Sequence, residues 1–479
     1  MRARTGLMAL ALGLSGCAVG PDFHTPAAPT QKAYDQAPLA EMTAPAGPAG
    51  GTQRWREGAV AAQWWQAYQA PALNALVEAA LKANTDLAAA NAALRQAREL
   101  WRAQRGVLLP SVDVGATTSR AKSSQYLAPV PNDNTFTYNL QTAQVNVGYT
   151  LDVFGANRRS VEQAHAQYDA QAFQTEAARI SLVNNVIAAA FQEASLRRQL
   201  AAQERMVAIG AEQLGILRRQ QAQGQASGAD VLAQATLLAQ MQAGLPPLQR
   251  AQAQARDLLA YLTGRTPADA GLASVDLDQV QLPADLPLSL PSALVRQRPD
   301  IRAAEANLHA ASAGVGIAIA NRLPQLTLSA SAGGGAGGWS NLLSAANNFW
   351  SVGAGISQPI FQGGALLHKQ RAARAAYDEA DAQYRSAVLG AFQNVADTLA
   401  ALRSDADALA ATSAARQSAA ASLEVARRQN RMGDAPFATV LQAEQALLAA
   451  EQALVQAQAA RLTDTAALFE ALGGGWQPA

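Results

Sequence analysis

Two segments of this chain, Asn157 to Gln223 and Ala365 to Met432, contain no proline and few aromatic residues. Apolar residues recur in both at the spacing of one helical face. At a rise of ~1.5 Å per residue, each segment predicts a helix roughly 100 Å long, several times the diameter of a small domain. Gly224 and Gly433 follow at equivalent places and break the helices. The sequence therefore predicts two long helical hairpins with their tips at these glycines, returning as Asp230 to Tyr261 and Thr439 to Leu472.

Composition supports close packing of long helices. Hydrophobic residues make up 49% of the chain but aromatic residues only 5%, and alanine supplies the excess. We expect the helices to pack closely through alanine side chains, with Gln, Arg and Glu facing water. The formal charge is +1, from 37 basic and 36 acidic residues. This balance gives no electrostatic reason to expect nucleic acid as a partner.

The sequence contains an internal duplication. Asn84 to Leu94 matches Arg298 to Leu308 without a gap, and Val145 to Phe154 pairs with Val352 to Phe361. The pattern predicts one unit used twice. The predicted segments are a signal peptide (1–16), a lipid anchor with an extended N-terminal segment (17–70), a first repeat (71–264), an equatorial linker (265–290), a second repeat (291–473) and a tail (474–479).

Each predicted repeat opens with one helix, Ala72 to Arg105 or Ser292 to Asn321, followed by two strands. Apolar residues alternate with small or polar ones around Val112, Val145 and Leu326. Such alternation over ~10 residues fits transmembrane β-strands, with an aromatic girdle near the loop ends. By itself, the pattern equally fits a half-buried soluble sheet, and on this evidence alone that reading is preferred. The expected girdle residues are Phe136, Tyr138, Trp339, Phe349 and Trp350.

Four strands per chain cannot close a barrel in lipid, because an open sheet edge leaves backbone groups without partners. The smallest barrels use about eight strands, and their interior fills with side chains. Three chains would supply about twelve strands and leave a water-filled bore. The predicted fold is therefore an α+β membrane protein, a trimeric twelve-stranded β-barrel continued by a long α-helical barrel.

The N-terminus predicts export. Arg2 and Arg4 precede an apolar run, Thr5 to Gly16, that is far shorter than the ~20 residues a membrane helix needs. The small residues before Cys17, the only cysteine, resemble a bacterial lipobox, which implies a covalent lipid on Cys17. The alternative is a cleavage site that happens to contain cysteine, or a buried thiol. Ala18 in place of aspartate favours the outer membrane.

Enzyme motifs are missing from the sequence. It has no Walker-type Gly-Lys loop, no Gly-x-Ser-x-Gly elbow and no HExxH motif. The four histidines are scattered along the chain, and one cysteine cannot build a cysteine-based metal cluster. We therefore expect neither catalytic residues nor a cofactor beyond the lipid.

Nearly the whole mature chain resembles the TolC and OprM family of outer-membrane efflux ducts, close to its NodT-type lipoprotein branch. The matching motifs are CAVGPDF, WWQAYQAPALNALVEAALKANTDL, LDVFGANRRSVEQA and QPIFQGGALLHKQRAARAAYDEA, together with the two tip glycines. The resemblance implies a homotrimer with a periplasmic helical tunnel and a mixed belt. It also implies a periplasmic adaptor and an inner-membrane pump, commonly of the resistance-nodulation-division type, as partners.

The resemblance also implies a gate near the tips. Family members narrow the tunnel there with carboxylates or a bulky apolar residue, at positions that correspond here to Ala438, Thr439 and Gln442, none of them acidic or large. Asp230 is the remaining carboxylate, expected to hydrogen-bond neighbouring helices, and Phe437 is large enough to plug the bore, although packing is its favoured role. Adaptor contacts are expected around the tip glycines.

Two other functions remain open at this point. Within the family, the duct could serve type I protein secretion. From another class, the chain could be a lipid-anchored coiled-coil adaptor or spacer, since adaptors also carry a lipobox and a helical hairpin. The duplicated strand pairs have no place in an adaptor, which favours the efflux channel.

Overall fold

The computed structural model describes residues 18–31, 33–34, 42–43, 50–122, 137–269, 271–289 and 291–476. These residues form a mostly helical structure with two sheets. The helices are α1 (Pro71–Ala83), α2 (Thr85–Arg105), α3 (Ala156–Ala222), α4 (Gly228–Ala243), α5 (Leu245–Leu262), α6 (Pro291–Gln297), α7 (Pro299–Ala320), α8 (Ala365–Met432) and α9 (Phe437–Ala471). The strands are β1 (Arg54–Glu57), β2 (Ser111–Lys122), β3 (Thr137–Leu151), β4 (Asp285–Leu288), β5 (Gln325–Ala336) and β6 (Asn348–Ser357).

The chain divides into two compact units. One includes Ala93–Gln171 and Ala303–Arg385, and the other includes Ala172–Arg302 and Ser386–Ala479. None of the described helices is sufficiently long and apolar to span a membrane.

The first unit contains a four-stranded antiparallel sheet in the order β2-β3-β5-β6. Its strands form where the sequence alternates apolar and small polar residues. The apolar side chains of both edge strands are exposed, with Val114 80% exposed on β2 and Trp350 77% exposed on β6. A soluble sheet would bury one such face, so this exposure argues against the half-buried reading. Phe136 lies outside the described residues, whereas Tyr138, Trp339, Phe349 and Trp350 are exposed.

The second unit contains a small parallel sheet in which β1 pairs with β4. Beside it, a 3₁₀ helix, Trp64–Tyr68, buries its three aromatic rings. Trp64 stacks on Phe469 of α9 with ring centroids 4.9 Å apart. The expected extended segment therefore contains a strand, β1, and a 3₁₀ helix that packs on α9. The expected linker contains the partner strand, β4. Both differences arise from contacts between segments far apart in the chain, which the local sequence pattern does not reveal.

The two long helices match the sequence prediction to within one residue, because neither contains a proline to end it early. Three other expected helices are each broken in two. Asn84 separates α1 from α2 in an extended conformation, and its side chain accepts a hydrogen bond from Leu87 N at 2.9 Å. Pro299 ends α6 before Arg298, since a residue preceding proline is disfavoured in helix. Pro246, at the start of α5, interrupts the first return helix after Gly244.

The same element order occurs in both halves of the chain. Two helices lead into two strands, then a long helix and a return path. The domain boundaries proposed from the duplication remain a prediction.

Candidate functional site

The candidate site lies at the turns of the two hairpins, which share one backbone design. After α3, Gly224 N donates to Gln221 O at 2.9 Å and Gln225 N donates to Gln220 O at 2.8 Å. After α8, Gly433 N donates to Asn430 O at 3.1 Å and Asp434 N donates to Gln429 O at 2.9 Å. This pair of bonds is the Schellman motif, which requires a left-handed residue. Gly224 and Gly433 supply it with φ of 73° and 81°, and each follows the end of its long helix as the sequence predicted.

Both tip glycines face open space. A Cβ atom built on either would meet no other heavy atom within 4 Å among the described residues. A substitution there would strain the backbone through φ alone, without a steric clash. The turns therefore expose backbone in a fixed conformation that glycine maintains.

Asp230 starts the return helix of the first hairpin. With Ser227 it forms a capping box, in which Asp230 N donates to Ser227 Oγ at 3.1 Å and Ser227 N donates to Asp230 Oδ2 at 3.3 Å. The sequence predicted that this carboxylate bonds to neighbouring helices. Within the described chain, its hydrogen bonds stabilise the start of its own helix, because helical N-termini leave backbone N–H groups without partners. A bond from Asp230 to a helix of another copy stays a prediction.

The gate candidates of the second hairpin lie in the first turns of α9. Ala438 and Gln442 are exposed and four residues apart, so they share one face as predicted. Thr439 is half-buried. Phe437 is also half-buried and packs against the cluster Leu423, Ala426, Val440 and Ala443. Phe437 thus packs between α8 and α9 within the chain, the role that the sequence favoured.

Glu444 is the residue that sequence reasoning missed. We expected glutamates on these helices to face water, yet Glu444 is fully buried. Its Oε1 accepts a hydrogen bond from Arg427 Nη2 at 3.1 Å and another from Gln213 Nε2. The sequence does contain a signal of this burial. Glu444 lies four residues from both Val440 and Leu448, in the middle of the apolar face of α9.

The Glu444 contacts extend to the four helices that meet at the turns. Gln234 of α4, itself fully buried, donates from Nε2 to Gln213 Oε1 at 3.4 Å and to Gly210 O at 2.9 Å. Gln213 belongs to α3, Glu444 to α9 and Arg427 to α8. This tip network therefore joins the first hairpin to the second. An open cleft of about 580 Å³ beside it is lined by residues of both hairpins, including Gln213, Asp230, Arg427 and Phe437.

The residue predicted to carry lipid, Cys17, lies outside the described residues, but the segment that follows it is held firmly. Val19 N donates to Phe154 O at 3.1 Å, just after β3. Arg159, whose side chain is 6% exposed, pairs with Asp22 at 2.7 Å and Glu162 at 2.8 Å. The chain directly after Cys17 is therefore fixed at the junction of β3 and α3.

No group of three or more His, Cys, Asp or Glu side chains that could hold a metal ion occurs among the described residues. What the site offers is exposed turns, an uncharged exposed face on α9 and a buried polar connection between hairpins. Such an arrangement suits docking and gating.

Comparisons with known proteins agree with this geometry. A family model described as outer membrane efflux protein matches residues 76–265 and 290–474. The probable efflux pump outer membrane protein TtgC of Pseudomonas putida is 31% identical over 464 residues, which cover 97% of this chain and 93% of that protein. The solved outer-membrane channel OprN is 29% identical with a TM-score of 0.85, covering 96% of this chain and all of that one. The MtrE outer membrane channel of Neisseria gonorrhoeae, solved in its open state, is 27% identical with a TM-score of 0.81, covering 96% and 98%.

Proposed function

The chain belongs to the outer membrane efflux protein family, and from this premise we propose that it is the outer-membrane channel of a tripartite efflux system. In this role it receives substrates from an inner-membrane pump through a periplasmic adaptor and releases them outside the cell. The family match, the structural likeness to solved channels and the exposed strands support the role together.

One observation carries the proposal. The edge strands β2 and β6 each pair on one side only within the described residues, while their apolar side chains face outward. In lipid these side chains are favourably placed, but the two open edges are not. Pairing β2 of one copy with β6 of the next satisfies both edges, and three copies give about twelve strands around a water-filled bore. The active form we propose is therefore a homotrimer whose strands close one barrel.

The adaptor docks on the hairpin turns in this proposal. Gly224 and Gly433 lie at turns of the same backbone design, so a repeated adaptor surface could engage both. The pump behind the adaptor is of the resistance-nodulation-division type, the kind commonly used by this family. The turn geometry supports the adaptor contact, whereas the pump type rests on the family resemblance.

A covalent lipid on Cys17 attaches the protein to the inner leaflet of the outer membrane. The hydrogen bond from Val19 to Phe154 supports this assignment, because it holds the chain next to Cys17 where the strands end. The lipid adds membrane affinity but does not cross the bilayer, so it adds to the membrane hold of the strands and does not replace it. We therefore assign anchoring to Cys17 and membrane spanning to the sheet.

In this proposal, hydrogen bonds hold the tip of the channel closed. The uncharged lining of the tip selects little between substrates by their charge. Gln442 and Ala438 would present rings of amides and methyl groups where three chains meet. Glu444 is buried against Arg427 and Gln213, so its charge is neutralised away from the bore. The tip network around Glu444 supplies hydrogen bonds between helices of one chain, and Asp230 adds a bond to neighbouring helices in this proposal.

The test uses a strain from which the gene is deleted. Accumulation of a panel of pump substrates (ethidium, toluene and two antibiotics) should rise in this strain and return to normal when the gene is restored. A plasmid carrying Gly224→Val and Gly433→Val together should fail to restore efflux, although the trimer still resists heat in detergent gels. Unchanged accumulation of every compound would contradict the proposal. Selective loss of one exported protein from the medium would instead identify a protein-secretion duct.

A further inference from the structure

Four helices of the first unit meet the same end of the four-stranded sheet. α2 leads into β2, β3 leads into α3, α7 leads into β5, and β6 leads into α8. Trp101 of α2 stacks on Tyr168 of α3 with ring centroids 5.6 Å apart. Glu162 Oε1 of α3 lies 2.9 Å from His309 Nε2 of α7. The helices therefore follow the order of the strands, with α2 and α8 at the two ends of the row.

The two faces of α8 can be told apart by a cleft of about 650 Å³ on one of them. Lys369 lines this cleft together with Gln325 and Ser357, at the helix ends of β5 and β6. Gln325 and Ser357 alternate with the apolar residues of their strands, so the cleft lies on the polar side of the sheet. Arg371 and Arg374 lie about 200° and about 140° around the helix from Lys369. Both are exposed, on the apolar side of the sheet.

The same two arginines have a fixed spacing from the residue of α8 that faces α7. That residue is Gln370, which is buried and whose Oε1 accepts a hydrogen bond from Arg322, just beyond α7. Arg371 and Arg374 come one and four residues after Gln370. They are therefore turned away from α7 in one direction, toward the apolar side of the sheet.

α2 repeats this spacing at the other end of the row. Trp101 faces α3, and the exposed residues Arg102 and Arg105 come one and four residues after it. α2 runs toward the sheet whereas α8 runs away from it, so a half-turn about an axis perpendicular to the sheet relates the two helices. This operation keeps each side of the sheet in place. The arginines of α2 therefore lie on the same apolar side as those of α8.

The surroundings of these arginines are those of a membrane surface. Leu109 and Leu367, 68% and 40% exposed, lie along the chain between the arginines and the strands. Val19 N donates to Phe154 O at this end of the sheet, which places the segment after Cys17 here as well. Exposed apolar residues followed by arginines within about two helical turns are typical of a chain that meets lipid headgroups.

Few carboxylates oppose the arginines. α8 contains no acidic residue from Ala365 to Tyr377. On α2, Glu99 Oε1 lies 2.9 Å from Arg102 Nη1, and both side chains are exposed. Arg105 lies over the Trp101 ring, 5.6 Å from its centroid. The arginines of α8 and Arg105 of α2 are therefore available to an external anion.

Closing the barrel brings the two ends of the row together. When β2 of one copy pairs with β6 of the next, α2 and α8 of the two copies become neighbours. Arg102 and Arg105 then lie beside Arg371 and Arg374 of the other copy, with Glu99 as the nearest carboxylate on α2. Like charges at such a boundary repel, and a bound anion would offset this repulsion.

We propose that these four arginines bind the phosphate groups of anionic phospholipids, such as phosphatidylglycerol, at each boundary between two copies. Guanidinium groups stay charged and match phosphate oxygens with paired hydrogen bonds. The acyl chains lie against the exposed leucines and strands, in the leaflet that also holds the lipid on Cys17. This inference rests on the proposed function, because it needs the sheet in the outer membrane and three copies around one barrel.

Native mass spectrometry of the purified trimer, titrated with phosphatidylglycerol or phosphatidylethanolamine, tests the proposal. The wild type should bind one phosphatidylglycerol at each boundary, more tightly than phosphatidylethanolamine. A basic residue at a membrane surface contributes about fivefold in affinity, so Arg371→Gln with Arg374→Gln should weaken phosphatidylglycerol binding about 25-fold. Binding of phosphatidylethanolamine should change little. Lysine at both positions keeps the charge and should retain most of the preference.

Two controls separate lipid binding from general charge effects. Arg250→Gln with Arg256→Gln removes the same charge from exposed positions of α5 and should leave both lipid affinities unchanged. Inorganic phosphate at the same concentration should bind far more weakly, because it has no acyl chains to contact Leu109 and Leu367. Equal loss in the α5 variant, or equally tight phosphate binding, would overturn the inference.

The state of the trimer distinguishes this inference from the channel proposal. An intact wild-type trimer that binds both lipids equally would overturn the lipid site and leave the channel role standing. Loss of trimers in the variant with glutamine at positions 371 and 374 would show that these arginines bind the neighbouring copy, which also overturns it. A wild-type protein that forms no trimer would contradict the proposed function and this inference together.

Discussion

Gln452 of α9 donates a hydrogen bond from Nε2 to Oε1 of Gln203 on α3, across 3.0 Å. Four residues along, Gln456 donates to Gln199 in the same way across 3.1 Å. Gln199 and Gln203 are both buried, so these amides stabilise the contact between the two helices. Gln213 and Glu444 continue the same antiparallel seam toward the turns. The two hairpins of one chain are therefore joined by side-chain hydrogen bonds as well as by apolar packing.

Replacing Glu444 by alanine should weaken this seam. The change removes the charged acceptor of two half-buried donors, Arg427 and Gln213, and a hydrogen bond to a charged group contributes about 1.5–3 kcal/mol. Glu444→Gln should cost less because its carbonyl oxygen still accepts one bond. The measurement is the rate of proteolysis at the hairpin tips in purified protein. The control is Glu424→Ala, which removes an exposed carboxylate of α8 and should be cleaved at the wild-type rate. Cleavage of Glu444→Ala at the wild-type rate would contradict the prediction.

The tip glycines offer a test of the docking surface. Gly224→Val and Gly433→Val should each strain the turn by about 1–2 kcal/mol, because a branched side chain disfavours the left-handed conformation. We expect weaker cross-linking to the adaptor while trimers persist. Asparagine tolerates positive φ, so Gly224→Asn and Gly433→Asn are matched controls that should retain more cross-linking. If both valine variants cross-link normally, the adaptor contact lies elsewhere.

Cys17→Ser should abolish lipid attachment without preventing trimer formation, since the strands carry the membrane span. Labelling cells with radioactive palmitate should tag the wild type only. Trimers should be detected as heat-resistant bands for both proteins. Label on the serine variant would refute the lipid assignment, and loss of its trimers would show that the lipid does more than anchor.

Much of the fold could be predicted from the sequence because its strongest signals are local. Proline-free helices ended by Gly224 and Gly433, and strands alternating around Val112 and Leu326, follow from the chain's own periodicity. The break at Asn84 was missed because asparagine is only weakly unfavourable in a helix. The pairing of β1 with β4 joins segments more than two hundred residues apart, which no local pattern encodes.

The candidate site was predicted less completely. Turn glycines have a direct backbone signature, and the exposed face of Ala438 and Gln442 follows from helical spacing. The composition of a helix does not reveal which of its polar residues become buried when helices pack. Glu444 and Gln203 look like solvated helix positions, and they become buried only when the two hairpins pack against each other.

In the proposed assembly, three copies surround one water-filled bore whose tip carries an uncharged ring at Gln442. Conductance of purified trimers in planar bilayers, with a trivalent cation added on the tip side, tests this most directly. Wild-type channels should conduct and be blocked only weakly. Gln442→Asp should introduce strong block by placing three carboxylates around one axis, while Gln442→Asn should behave as the wild type. The absence of conductance, strong block of the wild type, or no block gained by Gln442→Asp would contradict this assembly.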